Sequence, residues 1–530
     1  MESKKNISLN MIASLLVFII NLVINFFLTP YLTEKIGTEA YGFVSLANNF
    51  VNYATILTIA LNSMASRFIT IAIHQDKKEE ANKYFTSVFF ANVFIILVLI
   101  VPAIVLIVYL EHFFKIPENI IYDIKLLFSL IFFNFFVTII DAIYSIATFA
   151  TNKLHLHSLR NMEGAFIKVG ILIVLFSIFN PHAFYIGLAT LISSIFLLLT
   201  DLFYTKKLLP FIKIKKIYFS IKRIKELVKA GIWNTVTKLG NLLTDGLDLI
   251  ICNVLLDATA MGQLAIAKTL GSVMSTLIST IASIFQPQLT IDYAKENNKS
   301  LIEQLKTSMK TTAIFANIPL CFIIVFGTQF YSLWTPNQDA QLLNTLTILT
   351  IQGVIVSGII NPMYSIYTIT NKIKVDAICR IIIGLISILI VYILLKFTSI
   401  GIYAVAGVST LLGTIFNFVF VPIYTSKCCL NIKWYSFYPT IFRYMGTIIV
   451  ILVVLFIIKP FIIINNWLIL ILTAIMVGII GLTINYILLL DKADRIELKE
   501  MVNKILSRGE KKHEWDNIGY SFFWYRKKGF

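Results

Sequence analysis

The chain has 530 residues, 58% of them hydrophobic and only 14% charged, and carries a formal net charge of +17. Apolar runs of 18 or more residues recur throughout, each long enough at about 1.5 Å per residue to cross a ~30 Å hydrocarbon core, so a soluble globular protein is excluded. The positive charge has no soluble basic domain to sit on, which argues against a nucleic-acid partner. The five cysteines (Cys252, Cys321, Cys379, Cys428, Cys429) are scattered without paired spacing, which argues against a disulfide framework or a metal site.

Taken in chain order, the apolar runs predict fourteen spans: 9–32, 42–66, 84–110, 121–148, 161–179, 182–204, 231–255, 262–288, 310–332, 341–368, 375–396, 399–424, 437–458 and 464–490. The expected fold class is an all-α polytopic membrane protein of about fourteen transmembrane helices. No cleavable signal peptide is expected, because the first span is long and more spans follow it.

A shift of 220 residues lays the first half on the second. Residues 38–71 pair with 258–291 at seven identities in 34, including Gly42/Gly262, Thr70/Thr290 and Ile71/Ile291. Further on, Tyr144-Ser145-Ile146 returns as Tyr364-Ser365-Ile366. After a one-residue slip, Thr151-Asn152-Lys153 returns as Thr370-Asn371-Lys372. Spans one to six then map onto seven to twelve, and the last two look appended. The predicted organisation is a six-helix lobe over 1–204, a linker over 205–230, a second lobe over 231–425, an extra helix pair over 426–490 and a tail over 491–530. Duplicated membrane halves meeting at a midplane site are the architecture of secondary transporters.

Lys and Arg placement orients the chain. With the N-terminus in the cytoplasm, inside segments hold 38 Lys/Arg and outside loops five: Lys35, Lys115, Lys125, Lys396 and Lys459. Both termini are therefore expected in the cytoplasm. The 205–230 linker holds nine Lys/Arg against one Glu, with Ile217, Ile221, Ile224 and Val228 at helical spacing. Such a segment is expected to lie on a surface of anionic lipids. The tail from Asp491 suggests one short amphipathic helix through Leu498, Met501/Val502 and Ile505.

Polar stripes run inside the spans. The seventh carries Asn234, Lys238, Asn241, Asp245 and Asp248 at spacings of 4, 3, 4 and 3, which puts all five on one helical face. The first span answers with Asn10, Ser14, Asn21 and Asn25. The second shows Asn48, Asn52, Thr55, Asn62 and Ser66 and then Arg67, and the eighth shows Lys268, Ser272, Ser275 and Ser279 and then Gln286. Charges in a bilayer cost several kcal/mol unless they face protein or water, so these faces are expected to line one cleft between the lobes. Ser and Thr can also act as interhelical glue, at about 0.6 kcal/mol each. Glue explains Lys238, Asp245 and Asp248 poorly.

Asp141 in the fourth span corresponds to Asn361, so its charge is no general need of the repeat. It is read either as an ion-coupling residue, with Asp245 and Asp248, or as a partner of some neighbour. Glu163 and Lys168 are read as a structural pair or a substrate contact, and Asp376 and Arg380, four apart, as an ion pair along a helix. His155 and His157 fall in a loop where nothing nearby suggests a metal or a base. No GxxxxGK[ST] occurs, so the chain is not the ATPase of a pump, and no cofactor is expected.

The run from Thr33 to Arg67, with Lys35-Ile36-Gly37-Thr38-Glu39-Ala40-Tyr41-Gly42, resembles the start of bacterial Wzx-type polysaccharide flippases of the multidrug/oligosaccharidyl-lipid/polysaccharide exporter superfamily. So does Asp248-Leu249-Ile250-Ile251, followed by Gly262 and by Gln286-Pro287-Gln288. The resemblance implies two rocking six-helix lobes in the bacterial plasma membrane and no enzyme activity. It implies an undecaprenyl-diphosphate-linked oligosaccharide as cargo, other polysaccharide assembly proteins as partners, and action as a monomer. It also implies that cationic cavity residues hold the pyrophosphate, a role that falls on Arg67, Lys238 and Lys268. Asn21, Asn25, Asn48, Asn52, Asn234, Asn241 and Ser272 would line the cavity. Two alternatives stay open: an ion-coupled multidrug antiporter of the same superfamily, which would have twelve spans and favour acidic cavity groups, and a membrane-embedded glycan-assembly enzyme, which would need a clustered external acid/base set.

Overall fold

The computed structural model describes residues 2–370, 372–491 and 494–495; the side chains of 2–12, 14, 15, 18, 244, 245, 287 and 294 lie outside the described residues. The described chain is mostly helical, with no strand among the described residues. The first half comprises α1 (Glu2–Ile36), α2 (Thr38–Ala54), α3 (Ile56–His74), α4 (Lys78–Val108), α5 (Leu110–Phe113), α6 (Ile121–Tyr144), α7 (Ile146–Ala150), α8 (Leu154–Ile178) and α9 (Phe184–Leu208). The second comprises α10 (Ile221–Asp245), α11 (Asp248–Leu255), α12 (Ala258–Ala294), α13 (Asn298–Trp334), α14 (Ala340–Ile351), α15 (Val354–Ile360), α16 (Met363–Ile369), α17 (Ile373–Phe397) and α18 (Ile402–Tyr424). The chain ends on α19 (Tyr438–Ile458) and α20 (Trp467–Leu488).

Among the described residues, eleven helices or helix pairs are long and apolar enough to cross a membrane. The count is twelve when α14 and α15, bent by 41°, form one broken span. Helices α1 and α10 stand where the predicted first and seventh spans lie but are not among them. In α10 the cause is composition: Lys222, Arg223, Lys225, Glu226 and Lys229 crowd its first turns and Lys238 its middle. The chain is a multi-pass membrane protein, and its exposed apolar side chains agree with that. Phe94, Leu97 and Val101 on α4, and Ile449, Phe456, Leu468 and Ile479 on α19 and α20, are all exposed, as suits surfaces that meet lipid.

Helix α10 does not stop at the expected linker boundary. Only Lys216–Tyr218 forms a short separate turn, and the helix then runs unbroken from Ile221. The connecting segment is anchored on buried polar residues at the start of α4. Asn82 donates to the Phe211 carbonyl at 3.1 Å and accepts the Lys213 amide at 2.7 Å, and Ser87 accepts the Ser220 amide at 2.9 Å. Buried backbone groups must be paired, and a chain leaving a helix has no ladder to pair them, so side chains do it.

The largest core joins the two halves. It collects Leu32, Phe43, Leu46 and Phe128 from the first and Met261, Leu264, Tyr331, Trp334 and Leu346 from the second. A second core belongs to the second half and takes in Tyr444, Ile448, Ile451 and Val477, so the appended pair packs on that half. Asn317 of α13, Thr447 of α19 and Asn485 of α20 fix the pair there. The Asn317 amide donates to Asn485 Oδ1 at 2.8 Å and to Thr447 Oγ1 at 3.1 Å, and Asn485 returns a bond to Asn317 Oδ1 at 3.1 Å. All three are buried, so each leaves little polar surface for lipid.

Candidate functional site

The two halves close on each other at the ends where α2 and α12 begin. Tyr41 Oη lies 3.4 Å from Thr269 Oγ1, Thr259 donates to Glu39 Oε1 at 2.8 Å, and the Trp334 indole donates to the Phe26 carbonyl at 2.8 Å. Nearby, the Lys115 amide donates to Asn253 Oδ1 at 2.9 Å. Helix α10 crosses toward the other half further along: Asn234 donates to Ser63 Oγ of α3 at 3.2 Å.

Just inside the closed end, four elements bring charge together. Asp248 opens α11 and is buried. Lys268, ten residues into α12, donates to Asp248 Oδ2 at 2.6 Å, and Ser409 of α18 donates to Asp248 Oδ1 at 3.4 Å. Tyr53 of α2 donates to the Gly246 carbonyl and lies within electrostatic reach of Asp248. The arrangement places a carboxylate and an ammonium at a junction of both halves, where an incoming anion can compete for the ammonium. Sequence spacing put Asp248 on the polar stripe and Lys268 on the opposing helix. It gave no sign of their contact, nor of Ser409 and Tyr53.

The other expected cations stand apart from this pair. Arg67 is exposed on α3 and Lys238 is half-buried on α10, and among the described residues neither forms an ion pair. The Asp245 side chain lies outside the described residues. Of the expected cavity-lining set, Asn25, Asn48, Asn52, Asn241 and Ser272 are exposed, and Asn21 and Asn234 are half-buried. Asn48 and Ser272 bond back to their own helices, at 2.9 Å to the Val44 carbonyl and 2.8 Å to the Thr269 carbonyl. Ser275, Ser279 and Ser283 continue the exposed polar face of α12, whereas Met274, Ile278 and Ala282 on the same helix are buried. Two kinds of open surface therefore exist on helices of membrane length, one apolar and one polar.

Three side-chain readings change or sharpen. Asp376 and Arg380 pair along α17 as expected, Nε to Oδ2 at 2.9 Å. Glu163 takes its cation from Arg160 rather than from Lys168, because three residues along a helix returns to the same face while five do not. Asp141 does not stand alone: it shares a part-buried cluster with the buried Asp201 and with His157, which begins a helix and not a loop. Asp201 escaped notice because it sits near a helix end among Thr and Lys, where a carboxylate is ordinary. All five cysteines are free.

Comparison with known proteins places this architecture. The model of a family described as polysaccharide biosynthesis protein matches residues 3–290, more than half of the chain. The chain belongs to that family. It is 26% identical over 420 residues to the uncharacterized membrane protein EpsK of Bacillus subtilis (strain 168), covering 79% of this chain and 83% of the relative. Among solved structures it superposes on the lipid II flippase MurJ in an inward closed conformation with a TM-score of 0.65, at 18% identity over 90% of this chain and 98% of MurJ. A multidrug resistance MATE family transporter of the MOP superfamily, in an inward-facing conformation, gives the same TM-score at 14% identity over 78% of this chain and 98% of its own. Its fold is the one that MurJ and the MATE transporter share.

Proposed function

We propose that this protein is a flippase that carries an undecaprenyl-diphosphate-linked oligosaccharide across the bacterial plasma membrane by alternating access, for export of a cell-surface polysaccharide. In this reading fourteen spans form two six-helix lobes related by the 220-residue repeat, plus the α19–α20 pair, with both termini in the cytoplasm. The contacts of Gly42 with Gly262 and of Glu39 with Thr259, each 220 residues apart, support a twofold between the lobes. The glycan occupies a wet cleft lined by Asn25, Asn48, Asn52, Asn241 and Ser272, and the lipid stays outside. The diphosphate meets Arg67, Lys238 and Lys268 in turn.

The observation that carries this reading is the Lys268–Asp248 pair, part-exposed and set where both halves converge. A fixed ammonium in a poorly solvated site is a strong attractor for a diphosphate, and Asp248 holds its charge while the site is empty. The lobes meet near α2 and α12, the external ends in this topology, so the cleft would open to the cytoplasm, where lipid-linked repeat units are made.

The test is flipping of a fluorescent undecaprenyl-diphosphate-linked glycan in proteoliposomes. Wild type should move the probe, and Lys238→Ala and Lys268→Ala should reduce movement at least tenfold, the ratio that about 1.4 kcal/mol of lost interaction gives. Lys268→Arg should keep part of the activity. Full flipping by both alanine variants would remove the diphosphate site.

A further inference from the structure

Away from that cleft, the first half holds a part-buried cluster of titratable groups that the proposed cargo does not use. Asp201 of α9 is fully buried, and its Oδ2 lies 2.9 Å from His157 Nδ1 near the start of α8. Asp141, one turn before the end of α6, lies within hydrogen-bonding reach of Asp201. Asp141 Oδ1 and Asp201 Oδ1 are both buried, and neither has a hydrogen-bond partner. Two carboxylates side by side offer only acceptors. One proton between them converts one carboxyl into a donor and satisfies the other, as when two acids share a site.

We propose that Asp141, His157 and Asp201 form a proton-binding centre of the first lobe. With one proton on the acid pair and one on His157, a carboxylate and an imidazolium cancel and the cluster is neutral. Release of the shared proton leaves a net charge of −1 and two adjacent carboxylates, an arrangement that the buried side of the cluster at Asp201 resists. Those carboxylates sit on α6 and α9, and one turn on Thr205 of α9 donates to the Tyr144 carbonyl at 2.8 Å, beside the break between α6 and α7 at Ser145. Loading and release therefore act on the packing of α6 against α9 at that break. As part of a transport cycle, the centre's use rests on the flippase reading; proton binding itself does not.

Asp201 and His157 are the groups that act on Asp141, and the two aspartates are those that act on His157. From the neighbouring elements, Arg160 is engaged by Glu163, Lys83 of α4 by Glu79 and Glu80, and His74 of α3 meets the Ala150 carbonyl at 3.1 Å. Lys168 is on α8 eleven residues beyond His157, three turns away. Among the described residues no group of three His, Cys, Asp or Glu has the arrangement to hold a metal ion, which favours a proton over a divalent ion. The second half has Asn361 where the first has Asp141, and Arg380, a permanent cation, holds Asp376 there.

The experiment counts protons on purified full-length protein in detergent, with a pH-indicator dye and no glycan present. Between about pH 8 and about pH 5, wild type should take up roughly one proton per chain more than Asp141→Asn, because the amide cannot accept one. His157→Gln should lose roughly one as well. Each variant is first checked for a single gel-filtration peak and an unchanged melting profile. Asp141→Asn removes an atom's charge without volume, so it decides the matter if Asp201→Asn does not fold. Proton uptake equal to wild type in Asp141→Asn overturns the proposal, and so does saturable binding of radioactive sodium in place of protons. A wild type that binds the protons yet fails to flip the glycan probe overturns the flippase reading and leaves the centre standing.

Discussion

Gly42 of α2 and Gly262 of α12 meet backbone to backbone, so that a methyl group built on Gly42 would lie 2.8 Å from the Gly262 Cα. A methyl on Gly262 would lie 2.2 Å from the Thr38 carbonyl oxygen. Nothing but hydrogen fits between these helices. Where lipid is as apolar as the side chains, helices associate through such close packing, and two glycines let the ends of the halves touch.

Leucine at position 262 should therefore wedge that end open. Overpacking of this kind costs about 1–3 kcal/mol, enough to shift a two-state balance roughly five- to 150-fold. The readout is a cysteine pair, Glu39→Cys with Thr259→Cys, in a background freed of native cysteine. Oxidant should cross-link it readily in the parent and poorly with Gly262→Leu. Equal cross-linking in both would mean that the contact is not a switch between states.

Lys268→Ala strands the buried Asp248 carboxylate, and breaking one side of such a pair costs about 3–5 kcal/mol. The single variant should melt several degrees lower than wild type in detergent. Lys268→Ala with Asp248→Asn should recover most of that loss, because no uncompensated charge remains. If Lys268 also meets the diphosphate, the double variant stays inactive in flipping despite its recovered stability. Recovery of both would make the pair a structural element of the wall.

Water access separates a cleft from helix glue. Cysteines placed at Asn241, Ser272 and Ser279 should react with a membrane-impermeant maleimide at least tenfold faster than cysteines at Met274 and Ile278, which face the second core. The ratio follows from roughly 1.4 kcal/mol per decade in access. Protection of Ser272 and Ser279 by excess undecaprenyl-diphosphate-linked glycan would add that the cargo passes there. Uniform labelling along α12 would count against a single wet face.

Reporter fusions test the topology on which the cleft's direction rests. Fusions after Lys78, Lys215, Lys299, Lys433 and Lys512 should read cytoplasmic, and those after Lys35, Glu118 and Asp339 external. An external reading at Lys512 would leave an odd number of spans and remove the fourteen-span plan.

By itself the sequence determined the class of molecule. Apolar run length is set by bilayer thickness, so a helical multi-pass protein could be read without a partner in view, though not the breaks at Thr55, Ser145 and Gln352, and the i, i+4 pair of Asp376 with Arg380 could be read because a helix brings its own turns together. The single helix of 221–245 was harder, since charge density at Lys222–Lys229 mimics a surface linker while the backbone continues regardless. Who meets whom across helices was decided only by the tertiary structure. Lys268 with Asp248, Glu163 with Arg160 instead of Lys168, and His157 with Asp201 depend on the rotation of each helix about its axis and its depth against its neighbour. Periodicity fixes which residues share a face, and packing alone fixes which face another helix covers. The tail helix expected through Leu498, Met501/Val502 and Ile505 lies outside the described residues, yet its root is held: Lys310 donates to Asp491 at 2.7 Å and to Asp494 at 2.6 Å. Those residues are 181 and 184 positions apart, a distance that no local pattern in the chain can span.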